Sequence, residues 1–367
     1  MPIEISDNEE ISQLEVGARL LAHAILLPPE EARNSFFGTE AICITHFGRW
    51  LIPIPTISPW TLEEFFLLNR LFSFSGVREA AQHGLYGTSV RLNSERRFCI
   101  GLYASSDGAM LFRDLMANFR PSKRPPIEII EVGQITFSQA ISSQGGESVG
   151  PRPGSVTGTL GGWLRTGQPD KLIGISNNHI LTEFDRFGIN TEVLQPGGGR
   201  GHVVGTVDGV VKLNTHDPRN PFTTTNVVDL AWCIPDPSTT TRCEIGPTNV
   251  IPVGEADWIG ELLQNQMPIP VQCFGMRSGE AYGSVTAIRS FLWLIEPNNP
   301  NGQFVFEDQL QITLDKVQQG DSGSLIMSEP GLLIGGLLFA FDPNRSGVAF
   351  ACPWQCVRKM SNLDFQY

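Results

Sequence analysis

The sequence predicts a mainly β chain, with a sandwich or barrel of short strands following a mixed α/β segment. Three observations predict it. Beyond residue 154 short apolar runs alternate with Gly, Pro and Asn turns as far as the last residues, the pattern of many short strands. The 38 glycines and 26 prolines supply those turns and disfavour a helical bundle. Before residue 138 the texture differs, because helical spacing and isolated strand-like runs are mixed.

Taken in order, "SDNE" at residues 6–9 fits a capping box, with Ser6 as the cap and Glu9 reaching back. Leu14, Ala18, Leu21 and Ile25 then recur at helical spacing. Ser58 and Pro59 open a second helix through "WTLEEFFLLNRLF". "RRFCIGLYA" reads as a strand, "GAMLFRDLMANF" as a helix stopped by Pro121, and "IEIIEVGQITF" as a further strand. Residues 138–154, "SQAISSQGGESVGPRPG", carry few large apolar side chains and read as a linker. The expected organisation is an α/β domain over 1–137, the linker over 138–154, and a β domain over 155–367. The strands of that last domain are "GTLGGWLR", "LIGISNNHIL", "HVVGTVDGVVKL", "VVDLAWCI", "GSVTAIRSFLWLI", "FVFEDQLQITL", "GSLIMS", "GLLIGGLLFAF" and "GVAFACP".

Composition narrows the function. A chain of 367 residues is long for one compact core. Hydrophobic residues at 41% and charged residues at 17% make it globular. A net charge of −12 and a pI near 5.0 argue against nucleic acid or an anionic membrane as partner. No apolar run has the length of a membrane span, and "MPIEISDNEE" lacks the basic-then-apolar order of a signal peptide. Seven scattered cysteines, an odd number, fit a cytoplasmic protein with free thiols. Cys352 and Cys356 form the only close pair, and two thiolates do not fill a four-ligand zinc shell. Neither a metal nor a cofactor is expected.

"QQGDSGSLI", residues 318–326, poses the functional question: Ser322 is either an activated nucleophile or a polar residue in a turn before a buried strand. A serine can attack a carbonyl only if a base takes its proton, and an acid must fix the tautomer of a histidine base. His179 follows an apolar strand in "LIGISNNHILT", where a scaffold can hold the ring; alone, it could equally cap a turn. Asp229 stands between Val228 and Leu230, where a buried carboxylate needs a partner; the alternative is a solvent-facing strand edge. Asp208 in "GTVDGVV" is the rival acid, but Asp-Gly reads better as a hairpin turn. The glycines around Asp321-Ser322 allow so tight a bend that the Gly320 and Ser322 amides can converge as an oxyanion hole.

The three occur in the order His, Asp, Ser, that of chymotrypsin-type enzymes and not of subtilisin or the α/β-hydrolases. With "SNNHIL", "VVDLA" and "GDSGSLI" at the three motif positions, residues 155–360 resemble the trypsin-like serine peptidases. "GTLGGWL", "VLQPGG", "GMRSGEAYGSVTAI" and "IGGLLFA" make the chain similar to a bacterial branch related to the plant narrow-leaf trypsin-like proteins. That branch tends to carry an α/β segment ahead of its barrels, and "PIEIIEVG" at 126–133 is similar to the end of one.

The resemblance implies two orthogonal six-stranded β-barrels with a site between them. It also implies a serine endopeptidase with a protein or peptide substrate. His179 would be the general base, Asp229 its orienting acid, Ser322 the nucleophile, and Gly320 with Ser322 the oxyanion hole. Residues 1–137 would regulate the enzyme, or bind an activating partner or a second copy. The alternatives are a scaffold protein that keeps the barrels without catalysis, or an esterase using the same site.

Two departures from the family pattern stand out. Secreted relatives pair the aspartate before the serine with a newly freed ammonium, so Asp321 needs a different partner here. Trypsin carries an aspartate at its pocket base six residues before the serine, a position that is Lys316 in this chain, with Asp315 one residue away. Phe339 and Phe341 fall at the pocket wall. Together these predict apolar or acidic rather than basic side chains before the cut.

Overall fold

A computed structural model describes the chain over residues 77–93, 98–117, 148–167, 171–199, 201–216, 224–239, 268–296, 302–328, 331–343 and 347–366, with shorter stretches among 14–72, 119–137 and 241–255. It divides into two compact units. One comprises Met1–Ile135, Asn214–Asn226 and Ala287–Gln309; the other comprises Thr136–Leu213, Val227–Thr286 and Leu310–Tyr367.

The first unit is mixed α/β. Leu14, Ala18, Leu21 and Ile25, at the helical spacing read from the sequence, are all buried. The capping box at Ser6 lies outside the described residues. Helix Leu62–Phe72 covers the second expected helix, and the Phe72 ring stacks on Phe112 of helix Ser106–Ala117 at 5.7 Å. Strands Leu85–Leu92 and Phe98–Ala104 pair antiparallel. Strand Ile127–Glu131 then lies parallel to Phe98–Ala104, with helix Ser106–Ala117 as the crossover that a parallel pair requires.

The strands form two closed barrels, the first within the second unit and the second mostly so, since its longest strands run on into Ala287–Ile295 and Gln303–Gln309 of the first unit. The first barrel has the strand order Gly162–Thr166, Lys171–Ser176, Ala231–Pro235, His202–Val210, Glu192–Gln195 and Ser148–Pro151. It closes because residues just before Gly162, at Gly158–Thr159, pair with Ser148–Val149 at the far end of that order. Val149, Leu160, Trp163, Ile180, Val193, Val207 and Cys233 pack its interior. Gly174 makes room for that packing, since a Cβ there would stand 2.8 Å from the Trp163 ring.

The second barrel runs Gln303–Leu314, Val348–Pro353, Leu332–Phe341, Leu325–Ser328, Ile269–Gly275 and Gly279–Ile295, and pairing of this last strand with Gln303–Leu314 closes it. A helix, Trp354–Ser361, follows, and the Trp354 ring packs against Phe365 at 4.9 Å. Phe365 and Gln366 then add to the edge of the first barrel opposite Thr166 and Arg165. Among the described residues no helix is long and apolar enough to cross a membrane, and the six described cysteines are free.

Three local expectations change. Ser148–Pro151, inside the expected linker, is a strand with all four residues buried, because it pairs on both sides. Asp208 is not in a hairpin turn. It lies at a bulge within strand His202–Val210, where the register shifts, and its carboxylate accepts a hydrogen bond from the Lys171 ammonium at 2.7 Å. The α/β unit also takes in Asn214–Asn226 and Ala287–Gln309, so it is not one continuous N-terminal stretch.

Candidate active site

Strand pairing brings His179 and Asp229 together. Ser176, the last residue of its strand, pairs with Ala231, the first of its own. The chain leaving one strand therefore lies beside the chain entering the other. His179 falls in the short helix Asn178–Leu181, and Asp229 lies just ahead of its strand. The Asp229 carboxylate accepts from His179 twice: Oδ2 meets the imidazole Nδ1, and Oδ1 takes the backbone N–H at 3.1 Å. Asn177 Nδ2 donates to the Asp229 carbonyl at 2.8 Å, which fixes the segment itself. Both side chains of the His–Asp pair are 0% exposed. A carboxylate buried this deeply is tolerable because it is fully used as an acceptor.

Behind Asp229 sits Cys352. Its sulfur accepts the Leu337 amide at 3.4 Å. Burial pushes the Cys352 thiol up to about 12, so it stays neutral and adds no negative charge beside the carboxylate.

Ser322 belongs to the same neighbourhood. Its carbonyl accepts the Thr159 amide at 2.7 Å. A Cβ on Gly158 would meet the Ile180 side chain at 2.5 Å and the Ser322 carbonyl at 2.8 Å, so the segment after His179 and the serine turn close on one glycine. The Ser322 hydroxyl donates to the Phe339 carbonyl at 3.3 Å, a long bond by hydroxyl standards. Gly320 and Gly323 have φ of 108° and 99°, the left-handed region that glycine adopts readily and that the bend around Ser322 requires. Among the described residues, no group accepts from the Gly320 or Ser322 amide.

The structure supplies the partner that Asp321 needs. Its Oδ1 accepts the Arg277 and Ser278 amides, each at 3.0 Å. Its Oδ2 accepts the Ser278 hydroxyl at 2.5 Å and the Gln318 amide at 2.7 Å. Arg277 and Ser278 form the turn between strands Ile269–Gly275 and Gly279–Ile295. A second link runs from the Met276 amide to Thr159 Oγ1, which in turn donates to the Gly320 carbonyl at 2.9 Å.

The pocket residues named from the sequence fall in three different environments. Lys316 is exposed, Phe341 half-buried and Phe339 fully buried. Asp315 is exposed and bonded to the Tyr282 backbone, through its own amide and through its carboxylate. Asp208, the rival acid, is held by Lys171.

The double-barrel fold implied by the resemblance is present. No protein-family model matches the chain, and no curated protein matches its sequence. Solved structures with a similar fold include Protease A of Thermobifida fusca, at 15% identity and a TM-score of 0.41, covering 60% of this chain and 96% of that one. The Nocardiopsis protease gives 15% and 0.41, covering 61% and 98%. Cellulomonas bogoriensis chymotrypsin gives 15% and 0.37, covering 60% and 97%.

Several residues of the site escaped sequence reading. Asn177 carried a signal, since two consecutive asparagines inside an apolar run need a polar partner. Thr159, Ser278 and Gln318 carried none, because their partners are remote in sequence and their surroundings are ordinary turns.

Proposed function

We propose that the chain is a serine endopeptidase that cleaves peptide bonds through an acyl-enzyme. The observation that carries this reading is the buried His179–Asp229 pair, whose carboxylate holds both the ring and the backbone of the histidine. With Nδ1 engaged by Asp229, Nε2 takes the role of base. Ser322 Oγ gives up its long bond to the Phe339 carbonyl, passes its proton to Nε2 and attacks the scissile carbonyl. The Gly320 and Ser322 amides receive the oxyanion. Collapse returns the proton from His179 to the leaving amine. Water then repeats the sequence on the ester and frees the acid.

The reading extends to regulation and specificity. Asp321 has its acceptor positions filled by the 277–278 turn and Gln318, so the oxyanion loop requires no freed ammonium and activity is constitutive. The preferred residue before the cut is apolar, since Phe341 lends apolar surface and the Asp315 carboxylate is engaged by the Tyr282 amide. The α/β unit is assigned to partner binding or control of activity.

A fluorophosphonate probe tests the reaction. It should label the wild type at Ser322 and fail on Ser322→Ala, with peptide turnover lost in parallel. A folded wild type that neither labels nor cleaves peptides would favour the scaffold alternative. Turnover of esters without peptides would favour an esterase.

A further inference from the structure

One threonine joins three parts of the site. Thr159 is 2% exposed. Its amide donates to the Ser322 carbonyl at 2.7 Å. Its carbonyl accepts the Ser176 hydroxyl at 2.7 Å, and Ser176 ends the strand that leads into the short helix of His179. Its hydroxyl accepts the Met276 amide at 3.0 Å and donates to the Gly320 carbonyl at 2.9 Å. A threonine hydroxyl has one proton to give and lone pairs to receive, so these two bonds use it in both senses. All of these residues lie in the second unit. The packing leaves no slack, since a Cβ on Gly323 would stand 1.9 Å from the Thr159 carbonyl oxygen and 2.5 Å from Ser176 Oγ. Gly320, with φ of 108°, has no side chain to restrain its peptide planes. Among the described residues, no donor other than Thr159 Oγ1 reaches its carbonyl.

We propose that Thr159 is a positioning residue for the oxyanion: its hydroxyl locks the Gly320 peptide, and its backbone registers that lock to the strand that presents His179. The inference rests on the serine peptidase reading above. Thr159 touches neither substrate nor the reacting atoms, and it acts through the turn that carries the Gly320 and Ser322 amides. Its hydroxyl holds the carbonyl before Asp321 and its amide holds the carbonyl after it, so the turn is fixed on both sides of the Asp321–Ser322 peptide. Without the hydroxyl, a buried carbonyl on a glycine must seek another donor, and the glycine offers little resistance to rotation. The neighbouring N–H then turns away from the point where the oxyanion forms. The His179–Asp229 pair and Ser322 Oγ keep their places. The loss falls on the transition state and not on the bound substrate, so kcat drops while KM stays.

The test uses the full-length protein and one good peptide substrate. Wild type, Thr159→Val, Thr159→Ser and Thr166→Val are first titrated to completion with the fluorophosphonate probe, so that rates are per reactive serine. Thr159→Val keeps the shape and removes the hydroxyl. Its kcat should fall about 10–100-fold, short of the 10²–10³ lost with an oxyanion donor itself, and KM should stay within about twofold. Thr159→Ser restores the hydroxyl and should recover most of the rate. A peptidyl trifluoromethyl ketone forms an adduct with Ser322 that carries an oxyanion, so its inhibition constant should rise by the factor that kcat/KM loses. The acid limb of the pH–rate profile should not move, because the base and its acid are untouched. Thr166→Val removes another buried threonine hydroxyl of the same barrel, one that donates to the Lys171 carbonyl at 3.2 Å, and should leave kcat unchanged. Should Thr159→Val fail to fold, Thr159→Ala is read in the same way. A Thr159→Val enzyme with wild-type kcat, a loss confined to KM, no rescue by serine, or an equal loss in Thr166→Val overturns the proposal. A folded wild type that neither labels nor cleaves would instead overturn the peptidase reading and this inference with it.

Discussion

Replacing Asp321 by asparagine should damage the site without touching His179, Asp229 or Ser322. The wild-type carboxylate is 2% exposed and accepts four hydrogen bonds. Asparagine keeps one acceptor oxygen for the Arg277 and Ser278 amides. Its amide nitrogen must then face the Ser278 hydroxyl and the Gln318 amide. The hydroxyl can rotate to accept, but the Gln318 N–H cannot. One donor is left facing another in a buried place, costing about 1–3 kcal/mol, and the charge-assisted bonds weaken to neutral ones. A total of roughly 3 kcal/mol corresponds to a fall in Tm of about 6–12 °C for a unit of this size. The same bonds fix the peptide that carries Gly320 and Ser322, so the oxyanion amides lose alignment and kcat/KM should fall about 10²–10³-fold. Ser278→Ala removes a single bond and should cost about 1 kcal/mol with a smaller loss of rate. Thermal melting and probe-labelling rates, measured on the same preparations, check both figures. An Asp321→Asn protein that melts and labels like wild type would refute the reasoning. Blocking the chain's α-amino group should leave the wild-type rate unchanged, and a strong loss on blocking would show that Asp321 depends on an ammonium after all.

Other outcomes follow from the same geometry. Ser322→Ala and His179→Ala should each lose on the order of 10⁶ in kcat with Tm near wild type, because such residues act as a unit; peptide kinetics and melting curves decide it. Asp229→Asn should cost about 10⁴ through the wrong histidine tautomer, while Asp208→Asn, which only releases Lys171, should cost little, and reversed results would assign the acid to Asp208. Burial pushes the Cys233 and Cys352 thiols up to about 12 and Cys99 up to about 11, with Cys273 higher still. Mass spectrometry after brief alkylation of the native protein at pH 8 should therefore find half-buried Cys243 modified ahead of these four. These raised values also set a sign: the unfolded thiols ionise near 9 while the folded ones stay protonated, so their contribution is full below pH 9 and is lost as pH rises toward 12. Denaturant midpoints should fall across that window and recover on return to pH 8. In a peptide library, strong enrichment of Arg or Lys directly before the cut would refute the apolar specificity.

Much of the fold was legible because most strands are short apolar runs between turn formers, and nine of the twelve barrel strands fall in runs named from the sequence, Ser148–Pro151, Glu192–Gln195 and Ile269–Gly275 being the exceptions. His179 and Asp229 were legible as polar residues inside apolar surroundings that would tolerate them only in partnership. Ser148–Pro151 was missed because a four-residue strand of Ser, Val, Gly and Pro has the composition of a linker; only pairing on both sides makes it a strand. Asp208 misled because Asp-Gly favours a bulge as readily as a hairpin turn, and the choice lies with the partner strand. The Asp321 network was not legible, since Ser278 lies 43 residues away and a hydroxyl in a turn announces no acceptor. Nor was the left-handed run at Glu183–Asp185, where local propensity points away from the conformation that remote hydrogen bonds impose.

The strand Phe365–Gln366 sets the order in which this molecule can be finished. It covers the edge of the barrel that carries His179 and Asp229, yet it is synthesised after Ser322 and after the whole second barrel. While the chain emerges from the ribosome, that barrel must wait with its Gly162–Thr166 edge uncovered, a surface open to pairing with other strands. The histidine and aspartate can meet early, but the serine turn arrives late and the covering strand last. In the peptidase proposed above, Ser322 would thus join its base only after every strand of the first barrel has been made, so the order of synthesis would act as a timer on the chemistry.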